Sequence, residues 1–429
     1  MKQAPKNFIL LVEMLERELP ASVLLGSELT SRGHHVWLIE KGRFRKSPAS
    51  FAPSIILEKG VTTGCLPKFR SIRGAGHIIA VMCQEGFTYR SGDDYIDRRV
   101  FSETLKNVDY LFLWGEREKQ DLEGLLPQVR SYHVTGSPRF DLLHPRFAQS
   151  WEAKKQEILR EHGDFVFFTS RFGSANHFRR TLDETVDKRM ETYTGDAVNS
   201  APERFRYLRQ LFEAYMSAID QMAARFPNLK FLVRPHPLEE PETWRAHFKD
   251  TPNVAVQSGG SVIPWLIAAR CVVHSACTTG IEAYILNRPV TEYHPEEIPR
   301  SELDPVLPGK VTGSIHTIDE LARWIEANFA KEAPVNRRAS SDDLIAFHLQ
   351  NAREPNAYTE MAAALESFRT PPPWAKLLNK VSRGHAPKKM QKRYIELDEV
   401  NGLLQSLVSC KVRDRFVPAV VDEVGIKLQ

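Results

Sequence analysis

Short apolar runs that break abruptly into polar residues, separated by helix-compatible spans, recur along this chain and leave few folds open to it. Unalternating apolar runs suit strands buried on both faces, and strands that alternate with helices imply parallel pairing. The opening shows the repeating pattern. NFILLV (7–12) reads as a first strand, PASVLLGSELTSR (20–32) as a helix with Pro20 at its start and Gly33 as its stop, and HHVWLIEKG as a second strand. SIILE, HIIAVMC, DYLFLWG and YHVTGSP continue the series to residue 138.

A charged, helical stretch (150–163) then marks a domain crossing, and DFVFFTS (164–170) starts a second sheet. The span 203–225 carries Phe205, Leu208, Leu211, Phe212, Tyr215, Met216 and Ile219 at helical spacing, a core-facing stripe. The expected domains are 1–150 and 151–330, both Rossmann-like, and 331–429, a helical extension in which 344–368 forms a helix. Two α/β domains in series with ligand groups at strand ends describe the GT-B architecture, two Rossmann-like domains facing a cleft. The first β-α turn lacks the GxGxxG of a dinucleotide fold.

Composition narrows the function. With 42% hydrophobic and 26% charged residues and a net charge of +4, the chain suits a soluble globular protein and not a nucleic-acid binder. Its five cysteines form no CxxC or zinc-like spacing, which points to reduced thiols in the cytoplasm, and the N-terminal apolar run is too short for a signal peptide or a membrane span. Near the C-terminus, Trp374, Leu377, Leu378 and Val381 form an apolar stripe followed by Lys388, Lys389, Lys392 and Arg393. Residues 374–393 therefore suit peripheral contact with an anionic membrane face, or equally a solvated or docked tail.

Two strand-end motifs carry the chemistry. In RPHP, Arg234 and His236 bracket Pro235, so both donors leave a stiff loop of the kind that suits a phosphate. In HSACTTGIEA, Ser275, Thr278, Thr279 and Gly280 lie between a strand and a helix beginning near Thr279, with Glu282 in that helix's first turn, placed to favour its dipole or accept from a ribose hydroxyl. Backbone N–H groups and hydroxyls at a helix start form an anion site. The plain alternatives are a threonine N-cap and a satisfied loop histidine. Cys277 has no partner indicated and is not read as a nucleophile. On the first sheet, the charged loop with Glu13, Glu16, Arg17 and Glu18 and the QEGFTY segment, with Glu85, Phe87 and Tyr89, supply a carboxylate beside a glycine and aromatics able to stack on a sugar. GSPRFD (136–141) reads as a turn with a local Arg139–Asp141 pair, and Ser170, Arg171, Asn176 and His177 open a long polar span.

The ordered set of REL (17–19), QEGF (84–87), GSPRFD, RPHP, HSACTTGIEA and NRPV resembles the bacterial surface carbohydrate biosynthesis proteins, which are similar to GT-B glycosyltransferases, β-Kdo transferases and CDP-glycerol glycerophosphotransferases. The resemblance implies a nucleotide-activated donor, CMP-linked, on the second domain. Arg234, His236, Ser275, Thr278, Thr279 and Gly280 would contact its phosphate. It implies a glycan or lipid-linked glycan acceptor on the first domain, near Arg17, Phe87 and Tyr89. Glu85 and Glu18 are the candidates for base or nucleophile, with His236 as a third catalytic group. No DxD pair stands at a strand end, so neither a metal nor a cofactor is expected. The competing readings are a CDP-glycerol-type glycerophosphotransferase, an epimerase of UDP-GlcNAc 2-epimerase type, and a non-catalytic component of a polysaccharide assembly complex.

Overall fold

A computed structural model describes residues 4–177, 201–301, 304–329, 337–370, 395–410, 419–421 and 425–429. The chain divides into two compact units, Met1–Trp151 with Asp343–Gln429, and Glu152–Asp342.

The first unit is built on β1 (Asn7–Val12), β2 (His35–Glu40), β3 (Ile55–Glu58), β4 (Ile78–Met82), β5 (Tyr110–Leu113) and β6 (Ser131–Val134), all parallel. Two short strands from the far end of the chain, β13 (Val420–Val421) and β14 (Ile426–Leu428), complete it in the order β13-β14-β2-β1-β3-β4-β5-β6, with β14 antiparallel to β2. β1 and β4 are buried almost throughout, as apolar strands covered on both faces must be. The helix Leu15–Ser31 packs against Ala357–Ser367 and Leu397–Ser409, so the described part of the C-terminal helical extension from Asp343 onward belongs to this unit.

Two expectations need correction here. The first helix starts at Leu15, and Pro20 lies inside it. Glu18 makes the earlier start possible: its carboxylate accepts the Glu13 N–H at 2.7 Å and the Met14 N–H at 3.1 Å, serving donors that precede the first helical turn. Glu16, Arg17 and Glu18 are thus helical. The single helix expected over 344–368 is two, Ala339–His348 and Ala357–Ser367. Pro355 removes a backbone donor between them, and the Asn351 side chain is drawn to Ser137 and Asp141. The apolar-basic stretch 374–393 lies outside the described residues. Among those described, no helix is long and apolar enough to cross a membrane.

The second unit holds β7 (Phe165–Thr169), β8 (Lys230–Arg234), β9 (Val254–Val256), β10 (Cys271–His274), β11 (Val290–Tyr293) and β12 (Ser314–Ile315), parallel in the order β12-β11-β10-β7-β8-β9. The helix Ala201–Arg225 lays its stripe on this sheet, with Leu208, Leu211, Tyr215, Ile219 and Met222 all buried. In both units the chain leaves the central strand to one side and later returns to the other. The order therefore reverses between β1 and β3 and between β7 and β10, and such reversals open a crevice at the strands' carboxyl ends.

Candidate active site

At the second unit's reversal, the carboxyl ends of β7, β8 and β10 lie in register, with Thr169 paired to both Arg234 and His274. Tyr215 pins two of them: its buried hydroxyl donates to the Thr169 and Val273 carbonyls at 3.1 and 3.0 Å. Past these ends, the chain supplies polar residues to one edge. Ser170 follows β7, His236 follows β8, and Ser275, Thr278 and Thr279 follow β10. The RPHP loop and the Thr278 turn are thus separated by a single strand, two strand spacings or roughly 10 Å.

The turn after β10 is tight. Ala276 adopts φ +47°, an unusual conformation for a residue with a side chain, and His274 Nδ1 accepts the Cys277 N–H at 3.4 Å. The helix Thr278–Ile285 then begins, and Cys277 gives it no side-chain cap. Thr278 and Thr279 are half-buried in its first turn, at the positive end of the helix dipole. Gly280 has a steric reason of its own: a Cβ would stand 2.3 Å from His274 Nε2, so this glycine makes room for a buried ring. His274 in turn meets the Thr312 hydroxyl at 2.9 Å, and burial pushes its pKa down to about 4, leaving it neutral. Glu282 is buried one turn into the helix, not in the first turn where a ribose contact was expected. Burial also raises the Cys277 thiol, so it is no thiolate nucleophile.

The RPHP loop is organised by a residue that sequence reasoning missed. Glu239 is fully buried and accepts four hydrogen bonds: from the Ser170 hydroxyl (2.6 Å), the Phe172 N–H (2.8 Å), the His236 N–H (3.1 Å) and Trp244 Nε1 (2.8 Å). Burial pushes its carboxyl up to about 7, against the pull of these four donors. The His236 N–H also reaches the Ser170 oxygen at 3.2 Å, which ties the loop to the end of β7. The His236 ring accepts the Leu238 N–H at Nδ1 (3.2 Å), so the neutral imidazole carries its proton on Nε2 and presents a donor. Arg234 is buried and holds the Gly259 and Gly260 carbonyls through Nη2, fastening the turn after β9. Arg171 pairs with buried Asp304 at 2.6 Å, and Asn176 bonds Glu240 and Thr243, so both brace loops. His177 bridges to Glu239 through the backbone.

In the first unit, Arg17 and Glu85 form a 3.5 Å ion pair, and Arg17 also donates to the Gln84 carbonyl at 3.2 Å. The Glu85 side chain is 42% exposed and so is open to solvent. Glu18 is not: it is buried, paired with Lys59, and already serves two backbone donors. Both aromatics make contacts within the unit. Phe87 is buried, stacked on Trp114 (5.2 Å) with its edge toward Phe140 (4.8 Å). Tyr89 stacks on Tyr95 at 4.5 Å and donates to Asp121 at 2.6 Å. Gly86 admits not a ligand but Glu118, whose Oε1 would lie 2.3 Å from a Cβ. The expected Arg139–Asp141 pair gives way to a longer-range one. Asp141 is buried and accepts from Asn351 (2.6 Å), Ala357 (3.3 Å) and Tyr358 (2.8 Å), capping the Ala357–Ser367 helix from a distant part of the chain.

Among the described residues no group of three or more His, Cys, Asp or Glu is arranged to hold a metal. No family profile matches the chain, and no curated protein matches it by sequence. Solved structures do match. The UDP-GlcNAc 2-epimerase from Neisseria meningitidis, bound to UDP-GlcNAc, aligns with a TM-score of 0.53 at 12% identity, over 84% of this chain and 99% of its own. The wall teichoic acid polymerase TagF, in a crystal soaked with CDPG, aligns with a TM-score of 0.52 at 10% identity, over 85% of this chain and 88% of its own. The fold is thus α/β of the GT-B type, shared with enzymes of the group to which the sequence resemblance pointed.

Proposed function

We propose that the protein is a glycosyltransferase that moves a sugar, Kdo or a related acidic one, from a CMP-linked donor to a surface polysaccharide precursor. The observation that carries this reading is the second unit's strand-order reversal, where Ser170, Ser275, Thr278, Thr279 and the clamped His236 loop share one edge. As the bond to the donor breaks, negative charge develops on the leaving phosphate. Helix N–H groups, threonine hydroxyls and the Nε2–H of His236 are fixed donors for it, and they need no reorganisation when the charge appears. Arg234 contributes by holding the adjacent turn, and its charge adds to the positive edge. On the first unit, Glu85 is the group assigned to take the acceptor's proton, with Arg17 orienting it.

A second reading, a CDP-glycerol-type glycerophosphotransferase, is favoured by the likeness to the teichoic acid polymerase. Incubation with CMP-Kdo or CDP-glycerol separates the two, since only the true donor releases CMP in an acceptor-dependent way. Turnover of UDP-GlcNAc without any acceptor would instead support an epimerase. His236→Ala and Thr279→Ala are each expected to lower transfer at least about tenfold, a loss of about 1.4 kcal/mol of transition-state stabilisation. Unchanged turnover in both variants, with circular dichroism spectra matching the parent, removes the donor site assigned here.

A further inference from the structure

The first unit has its own strand-order reversal, and a cavity of about 40 Å³ lies there, against the carboxyl-end residues of β1 and β3 and beneath the start of the Leu15–Ser31 helix. That volume has room for roughly three water-sized positions. Its floor is apolar: Leu10, Leu25, Met82 and Met361, each buried. Its rim is charged, but the charges answer one another. Lys59 is paired with Glu18, Glu58 accepts two bonds from Arg45 at 2.7 and 2.8 Å, and Arg17 faces Glu85. An ionic group at the bottom of this space would meet the leucine and methionine floor, which disfavours it there, although Arg139 also lines the rim. Among the lining donors, Arg17 Nε is buried and has no hydrogen-bond partner, and a buried donor without an acceptor costs on the order of 1–3 kcal/mol.

A group that matches all of these features is small, apolar at one end, neutral, and carries one carbonyl acceptor. We propose that this pocket seats a short acyl substituent, an acetamido group above all, of the sugar bound by the first unit. Its methyl would rest on the Leu10, Leu25, Met82 and Met361 floor, and its carbonyl would accept from Arg17 Nε. That the sugar is the acceptor rests on the transferase reading above; the binding itself does not.

The test is an NMR titration of the full chain, without nucleotide, with N-acetylglucosamine and N-acetylgalactosamine against glucose and galactose. At least one acetamido sugar binds about tenfold more tightly than its parent, the sum of a buried methyl and one hydrogen bond, with saturation transfer strongest at the acetyl methyl. Ala21→Leu, which fills the pocket from its helical wall, removes that preference. Equal affinity for acetamido and parent sugars, or a preference that survives in folded Ala21→Leu, overturns the proposal. If that variant does not fold, the comparison of sugars on the parent chain decides alone. Titrating the same sample with CMP keeps the two readings apart: acetamido preference without CMP binding refutes the donor site and spares this one, and the converse result does the opposite.

Discussion

Each unit keeps a buried carboxylate behind the loop that its sequence marks, Glu118 behind QEGF and Glu239 behind RPHP, yet the two serve different ends. Glu239 accepts four donors, one of them the backbone N–H of His236, and its carboxyl is pushed up to about 7. Glu118 accepts from the Tyr95 hydroxyl at 2.6 Å and the Trp114 N–H at 2.7 Å, and its carboxyl is pushed further, to about 8. Burial is complete in both and is the main cause of each shift; Glu239 gathers more donors, and the Asp121 carboxylate near Glu118 raises that group further. With four donors gathered on it, Glu239 locks a polar loop in one conformation. With two, Glu118 tolerates a proton and supports packing beneath Gly86.

The sharpest way to break this comparison is Glu239→Ala. It leaves Ser170, the Phe172 and His236 N–H groups and Trp244 Nε1 without their shared acceptor, and hydrogen bonds to a charged group are worth about 1.5–3 kcal/mol each. The expected cost is at least about 4 kcal/mol in urea unfolding, with CMP binding lost even where the chain stays folded. A variant of near-parental stability that still binds CMP would mean that the RPHP loop holds itself.

Glu118 gives a smaller effect with a definite sign. A carboxyl whose folded pKa is raised from 4.5 to about 8 binds its proton more tightly in the folded state. Its contribution is therefore full below about pH 4.5 and is lost as the pH rises toward about 8, by at most about 5 kcal/mol. In Glu118→Gln the amide oxygen accepts from Trp114 while the Tyr95 hydroxyl turns to accept from the amide. The variant should thus show a flatter dependence of unfolding midpoint on pH between about pH 5 and 8 than the parent. Parallel pH profiles for the two proteins would show that Glu118 does not hold its proton across this range.

The same contrast explains what was legible in the sequence. Strands announced themselves because apolar runs buried on both faces have no other use, and RPHP and HSACTTG were readable as neighbours because both follow strands of one parallel sheet. The buried carboxylates were hidden: Glu239 stands in a run of ordinary loop residues, and its donors come from positions as far apart as Ser170 and Trp244. β14 was invisible because three residues, Ile426–Leu428, carry no periodicity, and only pairing with β2 defines them. The burial of Phe87 was hidden for a related reason. An aromatic beside a strand end looks the same in sequence whether it faces a ligand or Trp114.

The smallest effect concerns Gly280, first read as part of a phosphate turn. An added methyl would lie 2.3 Å from His274 Nε2 and 2.4 Å from Cδ2, and that ring is fully buried and hydrogen-bonded to Thr312. Neither the ring nor the helix backbone can yield without disturbing the other, so Gly280→Ala should cost about 1–3 kcal/mol, the usual range for an overpacked core. If the strain is relieved by tilting the helix start, Thr278 and Thr279 move with it, and CMP affinity falls along with stability. If the ring yields instead, stability drops and CMP affinity is kept, because His274 lies behind the turn. Measuring unfolding and CMP titration on the one variant separates these outcomes. A variant with both values at the parental level would show that the contact between Gly280 and His274 does not constrain the turn, and that the glycine is free to serve the ligand directly.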